Sequence, residues 1–150
     1  MQLSTKSRYA TRAMVELARY YGQGPVQLKE IASSQDISVK YLEQVLLPLR
    51  TSGYIYTVKG ARGGYCLSEN PEKITVYNIV ECVEGSLAPV ACVDKSDFCQ
   101  RTESCVTREV WARLKTVIAR ELEGITLADL AKKAERLNRE NKTSSIIYYI

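Results

Sequence analysis

The chain has 150 residues, of which 45% are hydrophobic and 25% charged, and it carries a formal net charge of +4 with no histidine. Its length is enough for one compact domain, or for two small substructures that share a core. No apolar run approaches the ~18 residues of a membrane-spanning helix, and the residues after Met1 lack the apolar stretch of a secretory signal. These features argue against a membrane protein and against a secreted one, and we expect a cytoplasmic protein with no membrane partner.

The excess of positive over negative charge lies entirely in the first half of the chain. Residues 1–70 contain nine Lys and Arg against five Asp and Glu, whereas residues 71–150 contain twelve of each kind. The net charge is modest, but a one-sided distribution of this kind suggests that the first half faces a polyanion.

Apolar residues recur at three- and four-residue steps in three successive segments near the start of the chain. The pattern predicts helices over residues 4–22, 26–36 and 38–53, the first of them capped by Ser4 or Thr5. Helix, short helix, turn and helix is the spacing of a helix-turn-helix, a motif that places its last helix in the major groove of DNA.

A β-hairpin is predicted directly after the third helix. Tyr54–Val58 is aromatic and β-branched, Gly60–Gly64 is a glycine-rich loop, and Tyr65–Leu67 resumes the strand character. A hairpin in this position is a wing, and Lys59 and Arg62 at its tip are placed to reach phosphate or the minor groove. The order of the elements therefore predicts a mostly α fold with a small β wing, a winged helix-turn-helix.

The second half of the chain is predicted to contain three further helices and an irregular loop. A helix of about ten residues begins at Thr75, and the regular pattern is lost between Gly85 and Ser104. The next helix carries a long apolar stripe, formed by Trp111, Leu114, Val117, Ile118, Leu122 and Ile125. Thr126 caps a last helix, and a polar tail that ends in "IIYYI" follows from Asn141.

The long apolar stripe offers more surface than a small neighbouring domain would cover. We therefore expect this helix to pair with the same helix of a second copy, although a helix in the core of one chain would carry the same pattern. The predicted organisation is a winged helix-turn-helix DNA-binding region over residues 1–70. A cysteine loop, a dimerisation helix and a C-terminal helix follow over residues 71–150.

Three of the five cysteines, Cys92, Cys99 and Cys105, lie in or beside the irregular loop ahead of the long helix. Cytoplasmic thiols are kept reduced, so such a cluster is more typical of metal binding or redox sensing than of disulfides. An iron–sulfur cluster is favoured because soft thiolates suit iron, while zinc, a thiol redox switch and unrelated surface thiols remain open. Cys66 and Cys82, in a strand and a helix, are interpreted as small core residues.

Four segments, taken in order, resemble one family of bacterial regulators. They are "LSTKSRYATRAM" in the first helix, "SVKYLEQVLLPLR" in the third, "VKGARGGY" in the wing, and the three cysteines before the long helix. Together they resemble the IscR-like winged-helix regulators, which are iron–sulfur-sensing and cysteine-metabolism repressors, over essentially the whole chain. The resemblance implies a homodimer whose long helices cross and which reads a palindromic operator in double-stranded DNA.

The same resemblance assigns the DNA contacts. It implies contacts to base edges and to the minor groove from Ser38, Lys40, Glu43, Gln44 and Lys59. The chemistry agrees, because Gln can bond an adenine edge twice, Lys can donate to guanine, and Glu can accept from cytosine. Tyr41 beside them is a candidate for a phosphate contact, and Arg62 on the wing is another.

The resemblance also implies a two-iron two-sulfur (2Fe-2S) cluster on the three cysteines, which leaves the question of a fourth ligand. Family members use a histidine three residues after the third cysteine, or an acidic side chain near the amino terminus of the partner subunit. The matching positions here are Arg108 and Arg8, and arginine has no lone pair free to bind iron. The remaining candidates are a small thiol from solution or one of the nearby carboxylates Asp94, Asp97, Glu103 and Glu109.

These observations predict a dimeric, sequence-specific transcriptional repressor that senses an iron–sulfur cluster or redox status through the cysteine loop. Two alternatives stay open: a metal-free repressor of the cysteine-metabolism type, regulated by a partner or by thiol oxidation, and an iron–sulfur redox carrier. An enzyme is disfavoured by the absent histidine, the lack of a nucleotide-binding glycine motif and the lack of convergent acid–base pairs.

Overall fold

The computed structural model describes the backbone of residues 3–147 and the side chains of residues 3–141. This part of the chain forms six α-helices and one antiparallel pair of strands, which confirms the predicted mostly α fold with a small β wing. In chain order the elements are α1 Thr5–Arg19, α2 Leu28–Gln35, α3 Val39–Thr51, β1 Ile55–Val58, β2 Gly64–Leu67, α4 Val76–Glu84, α5 Val106–Glu123 and α6 Leu127–Ile147. The loop between α4 and α5 contains two single-turn 3₁₀ helices, Ala91–Val93 and Ser96–Phe98.

The first helix begins at one of its two predicted caps and ends earlier than predicted. The Ser4 hydroxyl accepts a hydrogen bond from the Ser7 backbone N–H at 3.2 Å, which satisfies one of the free donors at the start of α1. The helix ends at Arg19 rather than at Gly22. Gly22 lies in the following turn with φ +79°, a conformation that glycine adopts without strain, and the turn leads the chain toward the wing.

The second helix begins two residues later than predicted, because Val26 pairs with the wing instead of joining α2. Its backbone N–H donates to the Tyr65 carbonyl at 2.9 Å, and its carbonyl accepts from the Tyr65 N–H at 2.8 Å. This close approach needs Gly64, since a Cβ atom at that position would collide with the Val26 carbonyl oxygen. The helix is then capped by Glu30, whose carboxylate accepts from the Gln27 backbone N–H at 3.3 Å.

The main hydrophobic core joins the winged region to the second half of the chain. Met14 of α1 and Leu46 of α3 are fully buried in it. Ile79 of α4 and Leu127 of α6 are fully buried in the same core. Burying a side chain of this size contributes about 1.5–3 kcal/mol. Since these side chains come from both halves of the chain, both halves fix the position of α3.

A polar contact fixes the start of α1 against the end of α4. Ser7 is only 1% exposed, and its hydroxyl donates to Glu84 Oε1 at 2.5 Å. The Ser4 backbone N–H donates to the same oxygen at 2.6 Å. The hydrogen bond from Ser7, followed by those from Ser4, holds the pKa of Glu84 below its ordinary value of 4.5.

We expect Ser7→Ala to lower the free energy of unfolding by about 1–2 kcal/mol, because the charged Glu84 acceptor loses its buried donor. A carboxyl group whose pKa is lowered by folding stabilises the fold fully above its ordinary pKa, and this stabilisation is lost as the pH falls through the lowered value. Urea unfolding should therefore show a smaller difference between wild type and variant at about pH 3 than at pH 7. Thr5→Ala, an exposed hydroxyl in the same turn, is the control. An equal loss at both pH values would contradict the assignment to Glu84.

The fifth helix packs against α4 along part of its length. Ile118 and Leu122 of α5, and Ile125 just beyond its end, pack with Val76 and Val80 of α4 in a second, smaller cluster. No described residue of α5 is fully buried within the one chain. The predicted apolar stripe therefore divides into a part that the chain itself covers and a part that it leaves exposed.

The last helix is longer than predicted. The Thr126 hydroxyl accepts from the Asp129 backbone N–H at 3.1 Å and caps the helix as expected. The helix continues to Ile147, past Asn141 where a tail was predicted, because this segment contains no Gly or Pro to end it. Residues 148–150 of the predicted tail lie outside the described residues. None of the described helices is long and apolar enough to cross a membrane.

The two cysteines outside the loop differ from each other. Cys82 is partly buried against the main core, as expected, and its thiol donates to the Ser52 hydroxyl at 3.3 Å. The prediction of a core position was wrong for Cys66, which lies partly exposed on the outer face of β2 opposite Tyr56 of β1. Side chains alternate along a strand, so the inward positions of β2 belong to its neighbours Tyr65 and Leu67.

Candidate nucleic-acid interface and cysteine loop

The third helix buries one face and exposes the other. Its buried face is formed by Leu42, Val45, Leu46 and Leu49. Lys40, Glu43 and Gln44 are exposed at three- and four-residue steps on the outer face, together with Leu47, which is 49% exposed. The outer face of α3 thus presents a cation, a carboxylate, an amide and one apolar side chain in adjacent turns.

Ser38 and Tyr41 have structural contacts in addition to their predicted roles. The Ser38 hydroxyl accepts from the Tyr41 backbone N–H at 3.2 Å and so caps α3. The Tyr41 ring is partly buried and meets the Tyr9 ring edge to face, with 5.9 Å between centroids. These contacts fix the start of α3 against α1.

The wing carries its two cations at an exposed tip. Strands β1 and β2 pair in antiparallel register from Ile55 opposite Leu67 to Val58 opposite Gly64, and Lys59 and Arg62 lie in the exposed turn between them. The turn is tight: the Gly63 N–H donates to the Gly60 carbonyl at 3.0 Å, and a Cβ on Gly63 would collide with the Val58 carbonyl oxygen.

The cations on the wing tip and on α3 are not neutralised by neighbouring carboxylates. Within the described part of the chain, Lys40, Lys59 and Arg62 take part in no ion pair. Glu43 is the acidic member of the outer face of α3 and is likewise without an ion-pair partner among these residues. The surface formed by α3 and the wing is therefore able to attract a polyanion.

Leu47 is the residue of this surface that the sequence analysis missed. It lies one turn beyond Glu43 and Gln44 on the outer face of α3 and is 49% exposed. The helical period could have indicated this exposure, because Leu47 does not share the face of the helix on which the buried Leu46 and Leu49 lie. An exposed leucine here is suited to an apolar contact such as a thymine methyl group.

The three loop cysteines differ in exposure and environment. Cys92 and Cys105 are partly buried, whereas Cys99 is exposed. Cys105 immediately precedes α5 in the N-cap position, and its sulfur lies 3.3 Å from the Thr107 hydroxyl oxygen. The Thr107 hydroxyl, followed by the backbone N–H groups of Arg108 and Thr107, lowers the pKa of the Cys105 thiol. A lowered pKa increases the thiolate fraction, the form that reacts and binds metals.

Two side chains of α5 bind the cysteine loop. Arg108 Nε donates to the Cys92 carbonyl at 2.9 Å, so this arginine holds the backbone at the first cysteine. Lys115 Nζ lies 2.6 Å from Asp94 Oδ1, and the Ser86 hydroxyl donates to the other oxygen of the same carboxylate. Lys115 first and Ser86 second lower the pKa of Asp94. The contacts of Arg108 and Lys115 span 16 and 21 residues, and nothing in the sequence indicated them.

The described residues do not fit a resident metal or iron–sulfur group. Among them, no three Cys, Asp or Glu side chains lie in an arrangement that could hold a metal ion. Of the four candidate carboxylates, Asp94 is engaged by Lys115, and the other three, Asp97, Glu103 and Glu109, are exposed and join no such group. Arg8 is exposed on α1, with its Nη2 donating to the Thr5 hydroxyl at 3.3 Å.

The chain is similar over most of its length to proteins that regulate transcription. A family described as "Rrf2: Iron-dependent Transcriptional regulator" matches residues 3–133. The protein rrf2 of Nitratidesulfovibrio vulgaris is 42% identical over 134 residues, which cover 89% of each chain. A solved structure of CymR, the global cysteine regulator of B. subtilis, matches with a TM-score of 0.75 and 37% identity over 89% of this chain and 98% of that one. A structure of IscR from T. potens matches with a TM-score of 0.73 and 40% identity, covering 91% and 90% of the two chains.

Proposed function

The chain belongs to the Rrf2 family of transcriptional regulators, and from this premise we propose that it is a homodimeric repressor of a palindromic operator. Its relatives are named as regulators of transcription, so the chain is a DNA-binding regulator and not an enzyme. Membership of this family also argues against the redox-carrier alternative. In the proposal, residues 1–70 bind DNA in the cytoplasm, and residues 71–150 dimerise and control binding.

The exposed outer face of α3 beside a cationic wing is the observation that carries the DNA-binding proposal. Lys40, Glu43 and Gln44 contact base edges in the major groove, where Lys suits guanine, Gln suits adenine and Glu suits cytosine. Lys59 enters the minor groove. Glu43 rejects sites without a cytosine partner, because a carboxylate without a donor is repelled by the phosphates.

Three further residues complete the proposed interface. Ser38 reaches a base edge from its position at the cap of α3, while Tyr41 and Arg62 bind phosphate. The Tyr41 ring keeps its packing contact with Tyr9, which would hold its phenolic group in a fixed direction. Contacts to phosphate fix the position of the protein on the duplex, and contacts to base edges provide the specificity.

Dimerisation through α5 is supported by its exposed apolar residues. Val106 is 86% exposed and Val117 63%, and between them lie Val110 at 55% and Leu114 at 40%. These four residues recur at three- and four-residue steps, so they form one stripe along the helix. We name them the α5 stripe, and in the proposal each stripe packs against its symmetry-related copy.

A salt titration tests the DNA-binding proposal. A dimer with about six to ten phosphate contacts should lose roughly a thousand- to a hundred-thousand-fold in operator affinity between about 50 and 200 mM salt. Fluorescence anisotropy on a labelled fragment from upstream of the protein's own gene measures this. Arg62→Gln should lower the slope of log affinity against log salt by about 1 for each wing, whereas Lys132→Gln on α6 should leave it unchanged. An affinity that is flat over this range contradicts the proposal.

The cysteine loop is the proposed control site, since it joins α4 to α5 and α5 holds it through Arg108 and Lys115. A chemical change at Cys92, Cys99 or Cys105 alters these contacts, which reach the first turn and the middle of the proposed dimer helix. The spacing of the two DNA-binding regions, and with it the population able to bind the operator, changes in response.

Two versions of the control are distinguished by what occupies the thiols. In the first, implied by the resemblance to IscR, the three cysteines hold a 2Fe-2S cluster. The described arrangement does not fit that group, and the control through Arg108 and Lys115 does not depend on it. In the second, the protein contains no metal and responds to a partner or to thiol oxidation. The lowered pKa of Cys105 and the similarity to CymR support this version.

Anaerobic purification with a visible absorption spectrum and assays of iron and sulfide separates the two versions. The cluster version predicts a coloured protein with about two irons and two sulfides per chain, both lost in Cys92→Ala, Cys99→Ala and Cys105→Ala. Cys66→Ala on the wing is the control and should keep them. A colourless wild type that contains zinc or no metal contradicts the cluster version.

A further inference from the structure

A cavity of about 530 Å³ lies between α1, the end of α2 and α6, away from both the outer face of α3 and the cysteine loop. This volume lies within the range of ordinary small-molecule sites. Its apolar wall is formed by Val15 of α1 and by Leu130, Ala134 and Leu137 of α6. Leu137 is 47% exposed on an otherwise polar stretch of α6, so the cavity has hydrocarbon surface that the chain itself does not cover.

The remaining wall of the cavity is cationic. Arg12, Arg19 and Lys133 line it, and Glu16 is the one carboxylate among the described lining residues. That carboxylate is already paired with Arg19, whose Nη1 lies 2.9 Å from Glu16 Oε2. The charges of Arg12 and Lys133 are therefore left to act on a ligand, and neither forms an ion pair among the described residues.

Arg19 also has a donor without an acceptor. Its Nε atom is buried, and no hydrogen-bond partner for it exists within the described part of the chain. Buried donors are nearly always paired. Because surrounding protein atoms cover Nε, a molecule in the cavity cannot reach it, and this unpaired donor is not part of the proposed site.

We propose that this cavity binds a small aliphatic carboxylate. The anionic group is received by Arg12 and Lys133, and the hydrocarbon part packs against Leu130 and Leu137. A purely apolar ligand would leave the cations unused, and an inorganic anion would leave the apolar wall in water.

The bound molecule would also affect the position of α3, a consequence that rests on the proposed function. Arg12 Nε donates to Gln35 Oε1 at 2.6 Å, and Gln35 is the last residue of α2. Asp36 follows in a left-handed conformation with φ +53° and starts the turn into α3. A ligand that contacts Arg12 therefore acts on the link between α1 and the turn of the helix-turn-helix, and it changes operator affinity.

Calorimetric titration of the full chain with straight-chain carboxylates from acetate to octanoate tests the site. We expect saturable binding of one molecule per chain that strengthens with chain length, with a dissociation constant below about 1 mM for the best acid. Amide NMR signals of α1 and α6 should shift. Lys133→Gln should weaken binding about tenfold, the effect of losing one charge-assisted contact, while Lys132→Gln, the adjacent exposed lysine outside the cavity, should not.

Three results would overturn the proposal: no saturable binding by any acid in the series, equal binding of hexan-1-ol and hexanoate, or an equal loss of affinity in the two lysine variants. Ala134→Trp, which fills the cavity, should abolish binding while circular dichroism confirms the fold, and unchanged binding in this variant also contradicts the site. Because the titration contains no DNA, failure of the operator proposal would leave the result for the carboxylate site unaffected. A ligand that binds but leaves operator affinity unchanged would overturn the link to α3.

Discussion

Leu114→Asp is expected to convert the dimer into monomers and to abolish operator binding at nanomolar protein concentrations. Leu114 lies in the middle of the α5 stripe and is 40% exposed in the single chain. Burying a fully exposed leucine contributes about 1.5–3 kcal/mol, of which about two fifths remains for the dimer to gain at Leu114, and a two-fold interface contains the residue twice. The lost burial of about 1–2.5 kcal/mol raises the dimer dissociation constant roughly 10- to 60-fold, and the cost of burying two carboxylates without partners adds to this.

Sedimentation velocity over a concentration series measures this change, and operator binding by anisotropy should weaken with it. Thr116→Asp introduces the same charge on α5 at an exposed position outside the stripe, and it should leave the dimer intact. Circular dichroism shows whether each variant is folded. If Leu114→Asp stays folded and dimeric, the two copies associate through another surface and the role of α5 is wrong.

Gln44→Ala is expected to weaken binding to the specific operator by about 10- to 100-fold for each half-site. An amide that bonds an adenine edge twice discriminates against a wrong base by about 1–3 kcal/mol. Gln44 is exposed on the outer face of α3, so its removal leaves no cavity in the core. The variant should therefore unfold like the wild type.

Comparing the affinity for operator DNA with the affinity for unrelated DNA separates contacts to bases from contacts to phosphate. Gln44→Ala should leave the affinity for unrelated DNA unchanged, since that affinity comes from phosphate contacts. Glu43→Ala should have the opposite pattern and strengthen binding to unrelated sequences, because it removes a carboxylate that faces phosphate. Gln23→Ala, in the turn after α1, is the matched control. Equal losses on operator and unrelated DNA in Gln44→Ala would show that α3 does not read bases through this residue.

The DNA-binding residues of α3 and the cysteines of the loop differ in how far the sequence could predict their arrangement. The exposed position of Lys40, Glu43 and Gln44 follows from the period of the apolar residues around them, a pattern contained within thirteen residues of one helix. For the cysteine loop no such period exists, so the spacing of the thiols indicated a cluster without indicating their distances. The structure does not bring them together with a fourth donor in the described residues, and Arg108 binds the Cys92 backbone instead.

The order of the helices, the helix-turn-helix, the wing and the exposed face of α3 all follow from the sequence, because caps, glycines and helical periods act between residues a few positions apart. The pairing of Val26 with Tyr65 and the hydrogen bond between Ser7 and Glu84 could not be predicted in this way. The same holds for the open cleft between α1 and α6 that Arg19 lines. Each of these features joins residues that are tens of positions apart in the sequence. Their contact depends on how the helices pack together, and no local pattern of residues encodes that packing.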